Sequence, residues 1–150
     1  MDVSFVCKSF IELSCEELYH ILQLRCEVFV VEQNCAYQDM DNKDKVAQHL
    51  MMYAHDELAG YARLLPEGIS YDCISIGRVV NPKEYRKKGL GKLLMEKAVA
   101  ECYRLFGKDS IQISAQVYAI PFYQKIGFEP LGDIYPEDGI PHIQMILKPQ

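Results

Sequence analysis

The chain has 150 residues, of which 49% are hydrophobic and 25% are charged. These proportions are typical of a soluble folded protein, and the length suits one domain, residues 1–150, with a sizeable core. The formal net charge of −5 argues against general nucleic-acid binding, which requires a basic face. No apolar run approaches the ~20 residues of a membrane span. The first ten residues also lack the basic and apolar regions of a secretory signal, so we expect a cytoplasmic protein with no membrane partner.

The cysteines and acidic residues do not predict a metal site. Six cysteines, at positions 7, 15, 26, 35, 73 and 102, form no C-x-x-C pair, so zinc spacing is absent and reduced thiols are expected. Asp39, Asp41 and Asp44 partly match a calcium loop. However, the glycine and the later glutamate of an EF-hand are missing. We therefore expect no metal.

The first third of the chain predicts a strand, a helix and a hairpin. Alternating apolar residues favour a strand over residues 3–10. Ser14 and Glu17 then have the spacing of a capping box, which starts a helix whose buried end is expected at residues 28–33. A polar segment, residues 34–45, is expected to be an ordered loop. Residues 48–55 and 58–65 predict the hairpin, in which Gly60 indicates a bulge or a close approach.

The most informative segment is residues 73–105. Ile74, Ile76, Val79 and Val80 predict a β-branched strand that ends at Asn81-Pro82. Apolar residues then recur at helical spacing from Leu90 until Gly107 closes the helix. Between them lies Arg86-Lys87-Lys88-Gly89-Leu90-Gly91. Backbone N–H groups at a helix N-terminus, with two glycines and basic side chains, are typical of a phosphate site.

Motif rules do not decide what this basic run binds. It is not a Walker loop, because Gly-Lys-Ser/Thr is absent, and it lacks the first glycine of a dinucleotide fingerprint. On its residues alone, the run fits a basic loop leading into an ordinary amphipathic helix equally well. The alternatives therefore stay open at this point.

The last third predicts a strand, a short helix and a closing strand pair. Residues 110–117 alternate between apolar and polar, which favours a strand. Pro121 suits the first turn of a short helix that ends at Gly127. Residues 128–131 and 142–147 predict two closing strands around a loop at 135–139. The element order favours a mixed α/β layer fold.

Two motifs in the right order resemble the GNAT N-acetyltransferase superfamily. Arg86-x-x-Gly89-x-Gly91 after Val80-Asn81-Pro82 resembles its acyl-CoA signature, and residues 119–128 resemble its later aromatic-Tyr-x-x-x-Gly-Phe motif. Residues 22–33 and 137–142 extend the resemblance to the ElaA-like branch. The resemblance implies a mostly antiparallel sheet, splayed between two central parallel strands, with helices on both faces.

The resemblance also implies a binding site for acetyl-CoA, the co-substrate. The pantetheine arm is a chain of amides that can pair with parted strands like an extra strand. Gln116 stands where much of the superfamily has Asn, a departure that the ElaA-like branch shares. The implied cofactor-binding residues are Arg78, Val79, Val80, Arg86, Lys87, Lys88, Gly89, Leu90, Gly91, Lys92, Gln116, Tyr118 and Phe122.

The implied reaction is direct acyl transfer from a thioester to an amine. An amide near Val79 or Val80 would polarise the thioester carbonyl. Tyr123 matches the tyrosine that commonly acts as general acid for the leaving thiolate. Gln112 stands where some relatives have a basic glutamate and cannot take a proton. The candidate bases are therefore Glu32, His142 and Asp138.

Other positions have weaker assignments. Gln33, Tyr37 and His49 are expected to shape the acceptor pocket, and Arg25 is either part of it or a structural ion-pair partner. A covalent intermediate on Cys73 or Cys102 ranks below direct transfer, because neither has an evident base beside it.

Two other functions compete with the enzyme. One is a non-catalytic acyl-CoA-binding sensor, which would tolerate the loss of Tyr123. The other is a nucleotide phosphate-binding protein. The acceptor is expected to be a small-molecule or peptide amine, with a weak preference for a cationic one from the acidic net charge. A monomer and a homodimer are equally compatible with the sequence.

Overall fold

The chain folds around one seven-stranded sheet in the computed structural model, which describes residues Met1–Gln150. The strands are β1 (Val3–Ser9), β2 (Gln48–Ala54), β3 (Glu57–Leu65), β4 (Ile74–Val80), β5 (Ile111–Gln116), β6 (Glu129–Glu137) and β7 (Ile140–Leu147). The helices are α1 (Cys15–Arg25), which continues as a π-helical segment (Cys26–Glu32), α2 (Leu90–Phe106) and α3 (Ile120–Ile126). None of the helices has the length and apolar character needed to cross a membrane.

The sheet is antiparallel except at its centre. Its strand order is β1-β2-β3-β4-β5-β7-β6, and only β4 and β5 are parallel. These two strands pair at Ile74 with Ile111 and at Ser75 with Gln112, and then they separate. The predicted splayed sheet is therefore confirmed.

Each face of the sheet is covered by a different helix, because successive side chains along a strand point to opposite faces. Leu50, Met52 and Leu64 face one way and pack with Leu94 of α2 in the main core. Met51 and Tyr61 face the other way and pack with α1 in a smaller core. Along β5 and β7 this second face carries polar residues. The predicted placement of helices on both faces is confirmed.

Local signals account for most element ends. The Ser14 hydroxyl accepts a hydrogen bond from the Glu17 backbone N–H at 3.0 Å, and the Glu17 carboxylate accepts one from the Ser14 N–H at 2.8 Å. A Cβ at Gly60 would lie 2.8 Å from Asn81 Nδ2, and the β2–β3 register shifts beside it. The capping box and both predictions for Gly60 are therefore confirmed.

Two predictions about the chain trace are wrong in part. The end of the first helix is not uniformly buried, since Val28 is buried but Val31 is 69% exposed. The loop predicted at residues 135–139 is mostly strand, because β6 extends to Glu137 and only Asp138 and Gly139 turn, both with positive φ. β6 is an edge strand, where proline and glycine are tolerated. These residues are typical of loops, which is why the sequence predicted a loop here.

Candidate active site

A cavity of about 1080 Å³ opens where β4 and β5 separate. Its lining comes from β4, β5, the π-helical segment, the loop before α2, α3 and the start of β7. The sequence-predicted site residues that line it are Glu32, Gln33, Tyr37, Arg78, Val79, Val80, Arg86, Lys87, Gly91, Gln116, Tyr118, Phe122, Tyr123, Asp138 and His142. The side chains that lie outside the lining are those of Lys88, Leu90 and Lys92, and Gly89 lies outside it too.

The loop before α2 presents a row of free backbone amides. The N–H groups from Lys87 to Lys92 donate to no acceptor of the chain. Lys87 and Gly89 have φ values of 63° and 76°, which turn the loop into the helix. The Leu90 side chain is buried in the core, and Lys88 Nζ lies 5.8 Å from the centroid of the Tyr85 ring. Free amides at the positive end of a 17-residue helix are suited to an anion.

Arg86 and Glu32 form an ion pair beside this loop. The Arg86 Nη1 and Nη2 atoms lie 2.5 and 2.9 Å from the two Glu32 carboxylate oxygens, and Nε donates to the Asn81 carbonyl at 3.1 Å. The hydrogen bonds from Arg86 lower the pKa of Glu32. A carboxylate that is paired and kept ionised in this way is a weak proton acceptor. The geometry therefore does not favour Glu32 as the base.

Tyr123 of α3 presents a free hydroxyl to the cavity. Its ring packs edge-on against Phe122, with centroids 5.0 Å apart, and against Phe128 at 5.9 Å. Burial, with a smaller contribution from Tyr118, raises the pKa of Tyr123 to about 12. The hydroxyl has no hydrogen-bond partner in the chain and is accessible from the cavity. Tyr123 is thus a neutral proton donor whose hydroxyl is available to a ligand.

Besides the Arg86–Glu32 pair, a second side-chain contact crosses the cavity, between β5 and the residue after the π-helical segment. Gln116 Nε2 of β5 donates to Gln33 Oε1, just after the π-helical segment, at 3.4 Å. Tyr118 also lines the cavity but is 79% exposed. The hydrogen bond between Gln116 and Gln33 therefore narrows the cavity between the end of β5 and the π-helical segment.

β4 contains a bulge within the cavity wall. Tyr61 pairs with Val80 but Arg63 pairs with Gly77, so β4 has one extra residue between its paired positions. Arg78 in this bulge has a φ of 52°, and a bulge leaves a residue without its ladder hydrogen bonds. The Arg78 Nε donates to Asp39 at 2.7 Å, so its guanidinium is already held by a carboxylate.

Asp39, Asp41 and Asp44 belong to an arginine–aspartate network with Arg25, Arg63 and Arg78. Arg25 is completely buried and donates to Asp39 at 2.9 Å and to Asp44 at 2.8 Å. Arg63 pairs with Asp41 and Asp44 at 2.8 and 3.0 Å. Arg25 is therefore the structural ion-pair partner that the sequence left as one of two possibilities.

The network also lowers the pKa of two of its carboxylates, those of Asp41 and Asp44. Burial alone would raise the pKa of Asp41, but hydrogen bonds and charge from Arg63, with help from Lys43 N–H and Arg78, hold it at about 2. The pKa of Asp44 is also lowered against the effect of burial, by Arg25 and Arg63. Asp41 and Asp44 are therefore ionised at neutral pH.

His142 lies at the start of β7, paired with Gln116 of β5. Its Nδ1 lies 2.7 Å from the Ile140 carbonyl, and its Nε2 lies 3.3 Å from a Glu137 carboxylate oxygen. A carbonyl oxygen only accepts, so Nδ1 carries the proton and Nε2 of the neutral ring holds a lone pair. Asp138, by contrast, is exposed in the turn. Of the three candidate bases, His142 is therefore the one with an oriented, free nitrogen.

Some residues lie elsewhere than the sequence suggested. His49 does not line the cavity, since it is buried and contacts the Tyr61 hydroxyl at 2.7 Å and the Asp44 carbonyl at 2.9 Å. Cys73 and Cys102 do not line the cavity either. Burial raises the pKa of both thiols, that of Cys102 to about 12, which disfavours a thiolate nucleophile.

Sequence reasoning missed several cavity residues. These are Lys43, Arg63, Ser70, Ser75, Ser114 and Glu137. An arginine inside the apolar strand β3 was a usable signal, because a buried charge needs a partner. The alternation of β5 also placed Ser114 on its polar face.

Comparison with known proteins agrees with this geometry. Residues 13–149 match the family model described as an acetyltransferase (GNAT) domain. Protein ElaA of Escherichia coli strain K12 is 43% identical over 136 residues, 89% of each chain. Its crystal structure superposes with a TM-score of 0.91 over 98% of this chain and 100% of that one.

Two further solved structures are similar. An acyl-CoA N-acyltransferase from Pseudomonas aeruginosa is 40% identical and has a TM-score of 0.92, covering 97% of this chain and 99% of that chain. A GNAT family acetyltransferase from Elizabethkingia anophelis, with acetyl-CoA bound, has a TM-score of 0.70 over 97% of both chains. At 12% identity, this last likeness concerns the fold alone. The chain belongs to the GNAT acyltransferase superfamily, in its ElaA-like branch.

Proposed function

We propose that the protein transfers an acetyl group from acetyl-CoA to a primary amine by direct attack. The observation that carries the proposal is the row of free amides from Lys87 to Lys92, at one end of a cavity bounded by parted strands. Such a row suits a pyrophosphate. The unpaired edges beside it suit a pantetheine arm, whose amides can replace the missing strand hydrogen bonds.

The binding roles divide between backbone and side chains. The amides of the loop hold the pyrophosphate, and Lys87 adds charge at the cavity wall. β4 from Val79 to Val80 forms one side of the pantetheine groove, and Gln116 with Phe122 forms the other. An amide in the bulged part of β4 polarises the thioester carbonyl, as oxyanion donors do.

The reaction then proceeds in a single transfer. The amine nitrogen attacks the thioester carbonyl carbon, a C–N bond forms, and the C–S bond breaks. The leaving thiolate takes the Tyr123 hydroxyl proton, which burial keeps in place at neutral pH. Reprotonation of Tyr123 from solvent restores the enzyme.

His142 Nε2 takes the proton that the amine loses. The Ile140 carbonyl accepts the Nδ1 proton and so leaves the lone pair on Nε2. Once protonated, the ring faces the Glu137 carboxylate at 3.3 Å, which stabilises the imidazolium. Glu137 thus supports the base without contacting the reacting atoms.

The test is a CoA-release assay with acetyl-CoA and a panel of primary amines, with the acetylated product identified by mass spectrometry. We expect stoichiometric N-acetylated product and CoA for at least one amine. Tight acetyl-CoA binding without turnover of any amine would contradict the enzyme and support the sensor alternative. Competition by ATP that equals competition by CoA would contradict both and favour a nucleotide-binding protein.

A further inference from the structure

The cavity has a cationic side chain that the proposed reaction does not use. Lys43 lies in the loop between the π-helical segment and β2, and it lines the cavity. Its ammonium donates to the Ser70 hydroxyl at 3.0 Å, and no carboxylate lies within ion-pair distance. Lys43 is therefore an uncompensated positive charge that is accessible from the cavity.

The neighbouring carboxylates are already neutralised. Asp41 accepts from Arg63 Nη1 and Nη2 at 2.8 and 2.9 Å and from Arg78 Nη2 at 3.4 Å. The arginine–aspartate network has three charges of each sign, so it adds no net charge to this end. Elsewhere in the lining, Glu32 is paired with Arg86, whereas Glu137 contacts the His142 ring and the Ser114 hydroxyl and has no Lys or Arg partner. Lys43 itself forms no ion pair with any of these carboxylates.

One buried polar group in the cavity lining lacks a partner. Ser75 is 3% exposed and lines the cavity. Arg63 is also 3% exposed, and its Nε has no partner. The β3–β4 register pairs Leu65 with Ser75 and Arg63 with Gly77, which places Arg63 and Ser75 on the same face of the sheet. Buried donors without partners are rare unless a ligand or water satisfies them.

We infer that the part of the cavity lined by Lys43, Ser70 and Ser75 binds an anionic group of the acceptor. The acceptor is then an amine that also carries a carboxylate or a phosphate. Lys43 supplies the charge, and the Ser70 and Ser75 hydroxyls donate hydrogen bonds. The inference rests on the proposed acyl transfer and names the acceptor class for the same cavity. It replaces the weak preference for a cationic acceptor, because the charge near the bound group outweighs the net charge of the chain.

Matched acceptors test the anionic group directly. The panel contains the standard L-amino acids, each beside its carboxamide, and O-phosphoethanolamine beside ethanolamine. We expect at least one acid or phosphate to have a kcat/KM at least about tenfold above its uncharged counterpart, as one charge-assisted contact allows. A preference for amino acids over their carboxamides identifies the anionic group as a carboxylate, and a preference for O-phosphoethanolamine over ethanolamine identifies it as a phosphate. Equal or better use of every uncharged counterpart would overturn the inference.

Variants of Lys43 show whether this residue binds the anionic group of the acceptor. Lys43→Met keeps the aliphatic stem, and Lys43→Arg keeps the charge. We expect Lys43→Met to raise KM for the anionic acceptor at least about tenfold, with KM for acetyl-CoA unchanged, and Lys43→Arg to restore most of the loss. The matched control is Lys45→Met, an exposed neighbour outside the cavity. An equal loss for anionic and uncharged acceptors in Lys43→Met would overturn the inference.

A binding measurement separates this inference from the proposed function. N-acetyl-L-amino acids and their amides are titrated calorimetrically into the wild type and Lys43→Met, with and without CoA. Binding of the acids alone, weakened in Lys43→Met, supports the anion subsite whether or not any amine is turned over. If CoA binds and amines are acetylated but no acid is preferred in either assay, the subsite is wrong and the acyl transfer stands.

Discussion

Arg86 and Glu32 are joined by two hydrogen bonds, at 2.5 and 2.9 Å, beside the row of free amides. The guanidinium that the acyl-CoA signature assigns to the cofactor is therefore shared with a carboxylate of the π-helical segment. This pair is partly exposed, with side-chain exposures of 33% and 41%. It ties that segment to the loop and, in the proposed function, partly cancels the charge that a pyrophosphate would meet.

Glu32→Gln is expected to tighten acetyl-CoA binding about two- to fivefold at low salt. The substitution removes a competing anion, and exposed pairs of this kind are worth up to about 1 kcal/mol. Calorimetry at 20 and 300 mM salt measures the change, which should shrink as salt screens it. Glu27→Gln, on the same segment and exposed, is the control and should have no effect. Weaker binding in Glu32→Gln would show that the pair organises the loop instead.

Tyr123→Phe is expected to lower kcat about 10²- to 10⁴-fold, the usual contribution of a general acid. The ring contacts with Phe122 and Phe128 remain, so the Kd of acetyl-CoA should stay within about twofold. Because the pKa of Tyr123 is raised to about 12, the phenol stays protonated below that pH. The wild type should therefore show no alkaline loss from this group up to about pH 11. An unchanged kcat in the variant would exclude Tyr123 as the acid.

His142→Gln is expected to lower kcat/KM about 10²-fold or more at neutral pH. Glu137→Gln should lower kcat/KM less, because Glu137 contacts the His142 ring and not the reacting atoms. CoA-release kinetics of the three proteins at neutral pH measure these effects. An unchanged kcat/KM in His142→Gln would assign the base to another group.

Arg25→Met is expected to lower the free energy of unfolding by about 3–5 kcal/mol, because it leaves Asp39 and Asp44 as buried charges with one partner fewer. Denaturant titration measures the loss. Lys8→Met is the matched control. It breaks the more exposed Lys8–Glu17 pair, whose side-chain exposures are 35% and 19%, and should cost about 1 kcal/mol or less. Equal costs would mean that burial of the network contributes nothing.

The same network predicts acid sensitivity. Asp41 has a pKa of about 2, below its ordinary 3.8. A depressed folded-state pKa stabilises the fold above the ordinary value, and this stabilisation is lost as pH falls from about 4 to about 2. Asp41→Asn should flatten the stability profile in this window, which thermal unfolding at stepped pH measures. An unchanged acid slope would assign the acid sensitivity to other carboxylates.

The fold was largely predictable because its local signals agree with its packing. The strand from Ile74 to Val80 and the helix from Leu90 to Gly107 have clear periodicity and clear ends. The end of β6 was not predictable, because Pro136 and the residues around it have loop chemistry that only an edge strand tolerates. The sheet's splay came from the family resemblance, since no local pattern shows where two parallel strands part.

The candidate site was predictable only where its residues follow one another in sequence. The amide loop from Arg86 to Gly91 is such a case. The network that joins Arg25, Asp39 and Arg78 depends on three distant segments meeting, so sequence spacing gave no sign of it. Lys43 was missed for the same reason, since a lysine in a polar loop is not distinguished until the fold brings Ser70 beside it and places it in the cavity lining.

The most direct test of the account is calorimetric titration of acetyl-CoA into the wild type, Gly89→Glu and Gly107→Glu. Gly89 and Gly107 flank α2, both have positive φ, and neither has an atom within 4 Å of an added Cβ. Both variants carry the same added charge, and Gly107→Glu carries the larger backbone strain, because Gly107 has φ 96° and ψ 160° whereas Gly89 has φ 76° and ψ 4°. Only Gly89→Glu places the charge at the free amides. The account predicts tight binding by the wild type and Gly107→Glu and its loss in Gly89→Glu. No binding by the wild type, or equal binding by all three proteins, would contradict it.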